Sequence, residues 1–291
     1  MATQSVTKSC LLATVESPKV LEAIINIFQF YADEMIVKIT PDLVQFSTIE
    51  PSHCALVIVN LRPSFFSEFK CTMTRETILK THFLAKILKR LGESKQVHLY
   101  AEEGENWVQL RDGNRCFTTP KYWGDTKMDE LNLEAMNSTH EFMTKERVKR
   151  TVKINLDPLV LDTIVKDCIA LDDLVKITIK ENTLVFSPHP IDMHDVTYSY
   201  TLEHEPATKN HSSLYSLNFM EGFTRKLQDL SQQEYTTFYF ADSHPICFEI
   251  RLGDDGKGGE MFVYLAPRVE DDDDDWEDDF DIEFGDDWED D

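Results

Sequence analysis

Lys86, Lys89 and Arg90 stand at i, i+3 and i+4 in Phe83–Leu91, a segment that reads as a helix. That spacing puts them on adjoining faces. Arg225 and Lys226 fall in a second such segment, Phe219–Leu230. Lys19 opens a third helical run and Lys166 belongs to a fourth. Cations presented this way can grip phosphate oxygens, and such binding is sequence-independent and salt-sensitive. No base-reading element is visible. Taken alone, these residues are also ordinary solvated charges, because exposed Lys and Arg are common.

Other chemistries find little support. The stretch Gly253-Asp254-Asp255-Gly256-Lys257-Gly258-Gly259 is glycine-rich, but it lacks the GK[ST] ending of a phosphate loop. It falls where a hairpin turn is expected. His189, His194 and Asp195 could suggest a metal site, but Pro188 and Pro190 mark a turn and no second ligand cluster follows. No catalytic carboxylate pair and no nucleophile triad can be picked out. The expectation is no enzyme activity, no cofactor and no metal.

The elements that position the cations must work against the overall charge. The 291 residues carry 29 Lys and Arg against 53 Asp and Glu, a net −24. Glu270 to Asp291 holds 16 acidic residues and no basic ones, so residues 1–269 carry 29 basic against 37 acidic, a net −8. A simple basic nucleic-acid binder is therefore disfavoured, and any contact with phosphate requires segregated charge. With 42% hydrophobic residues the chain can bury a core. The longest apolar runs are too short for a membrane helix, and polar Met1–Ser9 predicts no secretory leader. Six scattered cysteines without CxxC spacing predict free thiols in a reducing interior. A soluble intracellular protein without a membrane role is expected.

An internal repeat organises the chain. Ser17-Pro18-Lys19-Val20-Leu21 matches Asp157-Pro158-Leu159-Val160-Leu161, and Val37-Lys38-Ile39-Thr40 matches Val175-Lys176-Ile177-Thr178. Phe46-Ser47 meets Phe186-Ser187, Lys89-Arg90-Leu91 meets Arg225-Lys226-Leu227, and Tyr100-Ala101 meets Phe240-Ala241. All five pairs keep one order, at offsets of 136 to 140 positions. Each copy starts with an N-cap and Pro at the first helical position. Strand-like segments, a second helix and further strands follow. Two copies of helix, strands, helix, strands give an α+β class with extensive antiparallel sheet. The expected domains are 1–123 and 151–269, joined by a polar connector, 124–150, and followed by a disordered acidic-aromatic tail, 270–291. Met128, Leu131, Leu133 and Met136 of the connector could lie down on the body. A mobile linker with incidental apolar residues is the alternative.

The same residues resemble a family. Tyr264-Leu265-Ala266-Pro267-Arg268-Val269-Glu270-Asp271 is similar to the C-terminal signature of proliferating cell nuclear antigen, the eukaryotic-type DNA sliding clamp. Val20-Leu21-Glu22-Ala23 resembles that family's first helix, and Ser52-His53-Cys54-Ala55-Leu56-Val57 its serine-histidine strand. Lys86-Ile87-Leu88-Lys89 resembles the second helix, and Asn218-Phe219 with Phe223-Thr224-Arg225 the fourth. The resemblance spans almost all of 10–270 and is weakest in the connector.

It implies a DNA-clamp fold, with helices lining the hole of a homotrimeric ring and antiparallel sheets outside. The edges that would pair across protomers are Cys116–Trp123 and Val196–Leu202, the first interrupted by Pro120. Lys19, Lys86, Lys89, Lys166 and Arg225 fall where family members keep DNA-facing cations, and the repeat adds Arg90 and Lys226. Family cations expected near Ile25 and Thr163 are missing, which implies a less positive bore. The family's pocket for partner peptides maps to Ile49, His53, Pro245, Tyr264, Ala266 and Pro267, with Leu133 and Met136 from the connector. Implied partners are duplex DNA, a DNA polymerase, a clamp loader and other proteins with clamp-binding peptides, in a nuclear, viral or cytoplasmic replication compartment.

Trp276, Phe280, Ile282, Phe284 and Trp288 set the tail apart from a plain solubilising run. It could compete with DNA for the bore, dock a replication protein or fill the clamp's own pocket. Three alternatives stay open at this level: a subunit of a heteromeric, checkpoint-like clamp, a clamp-derived viral scaffold, and an acidic DNA-mimic adaptor. A DNA mimic has no need of the basic segments at 86–90 and 225–226.

Overall fold

The computed structural model describes residues 9–102, 108–113, 115–119, 136, 138, 140–141, 152–188, 197–201, 210–230, 235–241, 244–253 and 256–268. Leu133, Pro120, the histidines at 189 and 194, Asp195 and the tail lie outside them.

Pro at the first helical position starts both long helices, α1 (Pro18–Tyr31) and α3 (Pro158–Ile169). Asp157 caps α3 by accepting the Leu159 N–H at 2.7 Å, whereas Ser17 makes no side-chain cap bond. Both helices bury the stripe that the sequence pattern marks, with Leu21, Ile24, Ile27, Phe28 and Tyr31 on one and Leu161, Ile164, Val165 and Cys168 on the other. The shorter α2 (Thr81–Leu91) packs beside α1. In the second half the expected helix Phe219–Leu230 is two pieces, α4 (Leu217–Thr224) and α5 (Leu227–Leu230). The chain tightens between them, with Lys226 N–H bonded to the Phe223 carbonyl and Asp229 N–H to that of Lys226. That turn lets both Leu227 and Leu230 reach the core, where each is about 1% exposed.

Seventeen strands form three antiparallel sheets among the described residues. In the first half, β1 (Ser9–Val15), β7 (Val97–Glu102), β8 (Gln109–Asp112) and β9 (Arg115–Thr118) make one ribbon, with β5 (Glu68–Cys71) added outside β1. The other ribbon of that half is β6 (Arg75–Lys80), β2 (Glu34–Ile39), β3 (Val44–Ile49) and β4 (Ala55–Leu61). The second half repeats both. Strands β10 (Val152–Leu156), β15 (Thr236–Phe240), β16 (Ile246–Leu252) and β17 (Gly259–Leu265) match the first ribbon. Strands β14 (His211–Ser216), β11 (Leu174–Lys180), β12 (Thr183–Pro188) and β13 (Tyr198–Thr201) match the second.

The halves join where β17 pairs with β4 over seven residues, from Gly259 opposite Leu61 to Leu265 opposite Ala55. Gly259 is required there. Its φ is 153°, and a Cβ would sit 2.0 Å from the Asn60 carbonyl oxygen. Both strands are buried on both faces. Val57, Val59, Met261 and Val263 join the main core with the helices, whereas Leu56, Ile58, Phe262 and Tyr264 face the other way into a second apolar cluster. On the helix side, Tyr31 donates to the Phe219 carbonyl, tying α1 to α4. Burial pushes its phenol far above the usual tyrosine range.

The glycine-rich stretch at 253–259 is the turn of the β16–β17 hairpin, as its place in the sequence suggests. All six cysteines are free thiols. Among the described residues no helix is long and apolar enough to cross a membrane, and no group of three or more His, Cys, Asp or Glu could hold a metal ion.

Candidate nucleic-acid and partner surfaces

The seven predicted cations all lie on the helices or the turn between α4 and α5. Lys19, Lys86, Lys89, Arg90, Lys166 and Arg225 are exposed and Lys226 is half-buried. Lys19, Lys89 and Lys226 come together around a depression of about 300 Å³ between α1, α2 and α5, which Glu22, Glu93 and Asp229 also line.

The seven differ in their pairing. Lys166 is held by Asp162 one helical turn earlier at 2.6 Å, Arg225 by Glu221 at 3.6 Å and Lys226 by Asp229 at 3.5 Å. Arg225 also lies over the Phe30 ring, 5.8 Å from its centre. Lys19, Lys86, Lys89 and Arg90 have no ion-pair partner among the described residues. Lys89 and Arg90 also occupy the last turn of α2, where the helix dipole favours positive charge.

Sequence reasoning missed Arg115. Its guanidinium bonds the Arg90 carbonyl and the Ser94 hydroxyl, each at 2.9 Å, and pairs with Asp112. It brings a further cation to the end of α2. Hydrogen bonds from Ser94 and then Arg115 hold the Asp112 carboxyl below the usual aspartate value.

The predicted peptide-site residues gather at one end of the eight-stranded sheet. Ile49 ends β3 and Tyr264 lies near the end of β17. Pro245 precedes β16, and Ala266 and Pro267 follow β17. Ala266 N–H bonds the Cys54 carbonyl at 2.8 Å and Arg268 N–H the Leu214 carbonyl at 2.7 Å, so this segment straps the start of β4 to β14. His53 is exposed in the β3–β4 turn at φ 61°.

Met136 lies on the second apolar cluster at 3% exposure, so at this point the connector covers the body. His140 follows it, with Nδ1 2.9 Å from the Tyr264 hydroxyl and its ring 5.1 Å from that of Phe262. Tyr264 is therefore covered by the connector and does not stand as an open aromatic wall; its exposure is 3%. The open space lies to one side, a cavity of about 350 Å³ lined by Ile36, Ile49, Ile78 and Met136, with Asp33 and Glu34 among its polar lining. Tyr264, Pro245, Ala266 and Pro267 do not line it. No periodicity flags His140, because its partner lies 124 residues away.

Helices backing one face of sheets built from a twofold internal repeat, with an apolar strip on the opposite face, are the arrangement of the clamp fold. Comparisons with known proteins agree. The family described as proliferating cell nuclear antigen, N-terminal domain, matches residues 10–135. The DNA polymerase sliding clamp of Pyrococcus furiosus is 24% identical over 263 residues, covering 88% of this chain and 97% of its own length. That of Thermococcus onnurineus is 24% identical over 247 residues, covering 82% and 90%. Among solved structures, proliferating cellular nuclear antigen from Entamoeba histolytica superposes with a TM-score of 0.70 at 15% identity, over 90% of this chain and all of that one. A PCNA2–PCNA3 complex from Sulfolobus tokodaii gives 0.67 at 19%, over 89% and 100%. At such identities the structures speak for the fold alone. Over residues 10–135 the chain matches the proliferating cell nuclear antigen N-terminal domain, and over most of its length it is similar to archaeal DNA polymerase sliding clamps.

Proposed function

We propose that the protein is a DNA sliding clamp, a non-catalytic ring that encircles duplex DNA and tethers a DNA polymerase as its processivity factor. The observation that carries this reading is a pair of unused sheet edges. Within the chain, β17 of the second half pairs with β4 of the first. The repeat makes β9 the counterpart of β17 and β13 the counterpart of β4, and both are edge strands. Pairing β9 of one copy with β13 of the next would repeat the internal junction and cover two exposed edges. Closure with three copies gives a ring whose helices face one way, presenting Lys19, Lys86, Lys89, Arg90, Lys166, Arg225 and Lys226 to phosphates.

The opposite, sheet face would receive partner peptides beside Ile49, His53, Pro245, Ala266 and Pro267, with Leu133 of the connector, over the buried Tyr264 and Met136. A tethered polymerase gains effective concentration at the template without any tight phosphate contact. A clamp loader is the other expected partner, and the setting is intracellular and replication-associated, in a nuclear or viral compartment.

The test is topological. The protein loaded on nicked circular duplex should stay bound through gel filtration in high salt and be lost once the circle is linearised. Equal loss from circle and line would sink the reading. A heteromeric ring is the second reading, favoured by the edges: β9 and β13 each offer four residues, against seven in each of β17 and β4.

A further inference from the structure

On α2, Phe83, Lys86, Ile87 and Arg90 follow at i, i+3, i+4 and i+7, which makes one stripe along the helix. Phe83 is 42% exposed, Ile87 is half-buried, and both cations are exposed without an ion-pair partner among the described residues. Lys89 stands exposed on the adjoining row. Phosphate binding accounts for the cations but not for an open phenylalanine among them. The stripe fits a ligand that is both anionic and aromatic.

The chain carries one. Residues 270–291, outside the described residues, hold 16 carboxylates, and Trp276, Phe280, Phe284 and Trp288 recur every four positions. In a helix that period would set the four aromatics along one side, just as Phe83 and Ile87 stand one turn apart on α2. Like-charge repulsion opposes such order in isolation, so the segment needs countercharge to fold on binding. Trp276 lies eight residues beyond Arg268, a reach of about 26 Å when extended, and Trp288 lies about 65 Å along the chain. Other faces suit it less. The second-half cations already have carboxylates, and the outer cavity is lined by Asp33 and Glu34.

We infer that the C-terminal segment Trp276–Trp288 docks on the Phe83–Arg90 face of α2, in its own copy or a neighbouring one, and competes there with duplex DNA. The competition rests on the function proposed above; the docking does not.

Docking is tested without DNA. Among the described residues the last core residue is Leu265, so a chain ending at Val269 keeps all of the described core. A labelled 270–291 peptide, followed by anisotropy at 50 mM salt, should bind that shortened chain saturably, and the full chain at least threefold more weakly. K86E/K89E/R90E and, separately, F83A should each weaken peptide binding by about tenfold or more. No binding, or binding that ignores both variants, overturns the docking. Competition is read on a short linear duplex at the same salt. The shortened chain should bind it several-fold more tightly than the full chain, with the gap closing near 0.3 M salt. Equal affinity at low salt overturns the competition alone. Loss of topological retention on circles with peptide docking intact would instead remove the clamp reading and leave the docking standing.

Discussion

On α2, Lys86, Lys89 and Arg90 face solvent with no carboxylate on their own helix, whereas α3 and α4 supply Asp162 and Glu221 to hold Lys166 and Arg225. The halves share strand order and helix placement, yet they differ in free positive charge. An exposed cation already paired at an i,i+4 position gives up that contact to meet a phosphate, while an unpaired one gives up only water. On the clamp reading proposed above, the first half would therefore carry most of the phosphate affinity, and the second would supply spacing and closure. A second difference concerns edges: the junction inside the chain spans seven residue pairs, while each edge left for a neighbour has four residues.

The largest effect is expected from breaking an edge. Proline at Ser199 or at Tyr200 removes a backbone donor from β13, and successive N–H groups alternate in direction, so one of the two must point to the open edge. That variant should run as a monomer in native mass spectrometry while keeping its circular dichroism spectrum.

Charge reversal on α2 comes next. K86E/K89E/R90E should lower duplex affinity more than tenfold at 0.1 M salt and flatten its salt dependence, whereas neutralising Lys166, Arg225 and Lys226 should cost less than threefold. The contrast sharpens with D162N/E221Q, which frees two second-half cations and should strengthen binding in the same titration. Equal losses from the two triple variants would erase the asymmetry.

A smaller effect is expected at the connector. Met136→Ala removes a buried side chain from the outer cluster and should cost about 2 kcal/mol of connector docking. Trypsin should then cut within 124–150, at Lys127 or Lys145, about tenfold faster or more.

The smallest is a pH effect at the β8–β9 hairpin. The Asp112 carboxyl is held down by Ser94 and Arg115, so its contribution is present above the ordinary value of 3.8 and fades as pH falls below it. Asp112→Asn should loosen the β9 edge at neutral pH and remove part of the acid dependence of assembly below about pH 4. An identical acid profile for both proteins would assign that edge's stability elsewhere.

Much of this was legible in the sequence because the repeat carries it. The Pro-started helices, the alternating strands at 35–40 and 174–180 and the signature at 264–271 all report local patterns. Strands at or beside the sheet edges were not: β5 pairs Glu68–Cys71 without apolar alternation, and β1 and β10 are defined by partners far along the chain. The break between α4 and α5 was hidden because Leu227 and Leu230 continue the apolar spacing across it. The seven cations were readable as residues but their pairing was not, since Lys226–Asp229 exists only once the turn at 223–226 forms. His140 on Tyr264 needed the connector folded onto the sheet.

Native mass spectrometry at low micromolar concentration tests the central claim most directly. Edge pairing of β9 with β13 predicts a closed homotrimer of about 101 kDa from three 33.7 kDa chains. A species that stays at 33.7 kDa across that range would contradict the self-closing ring.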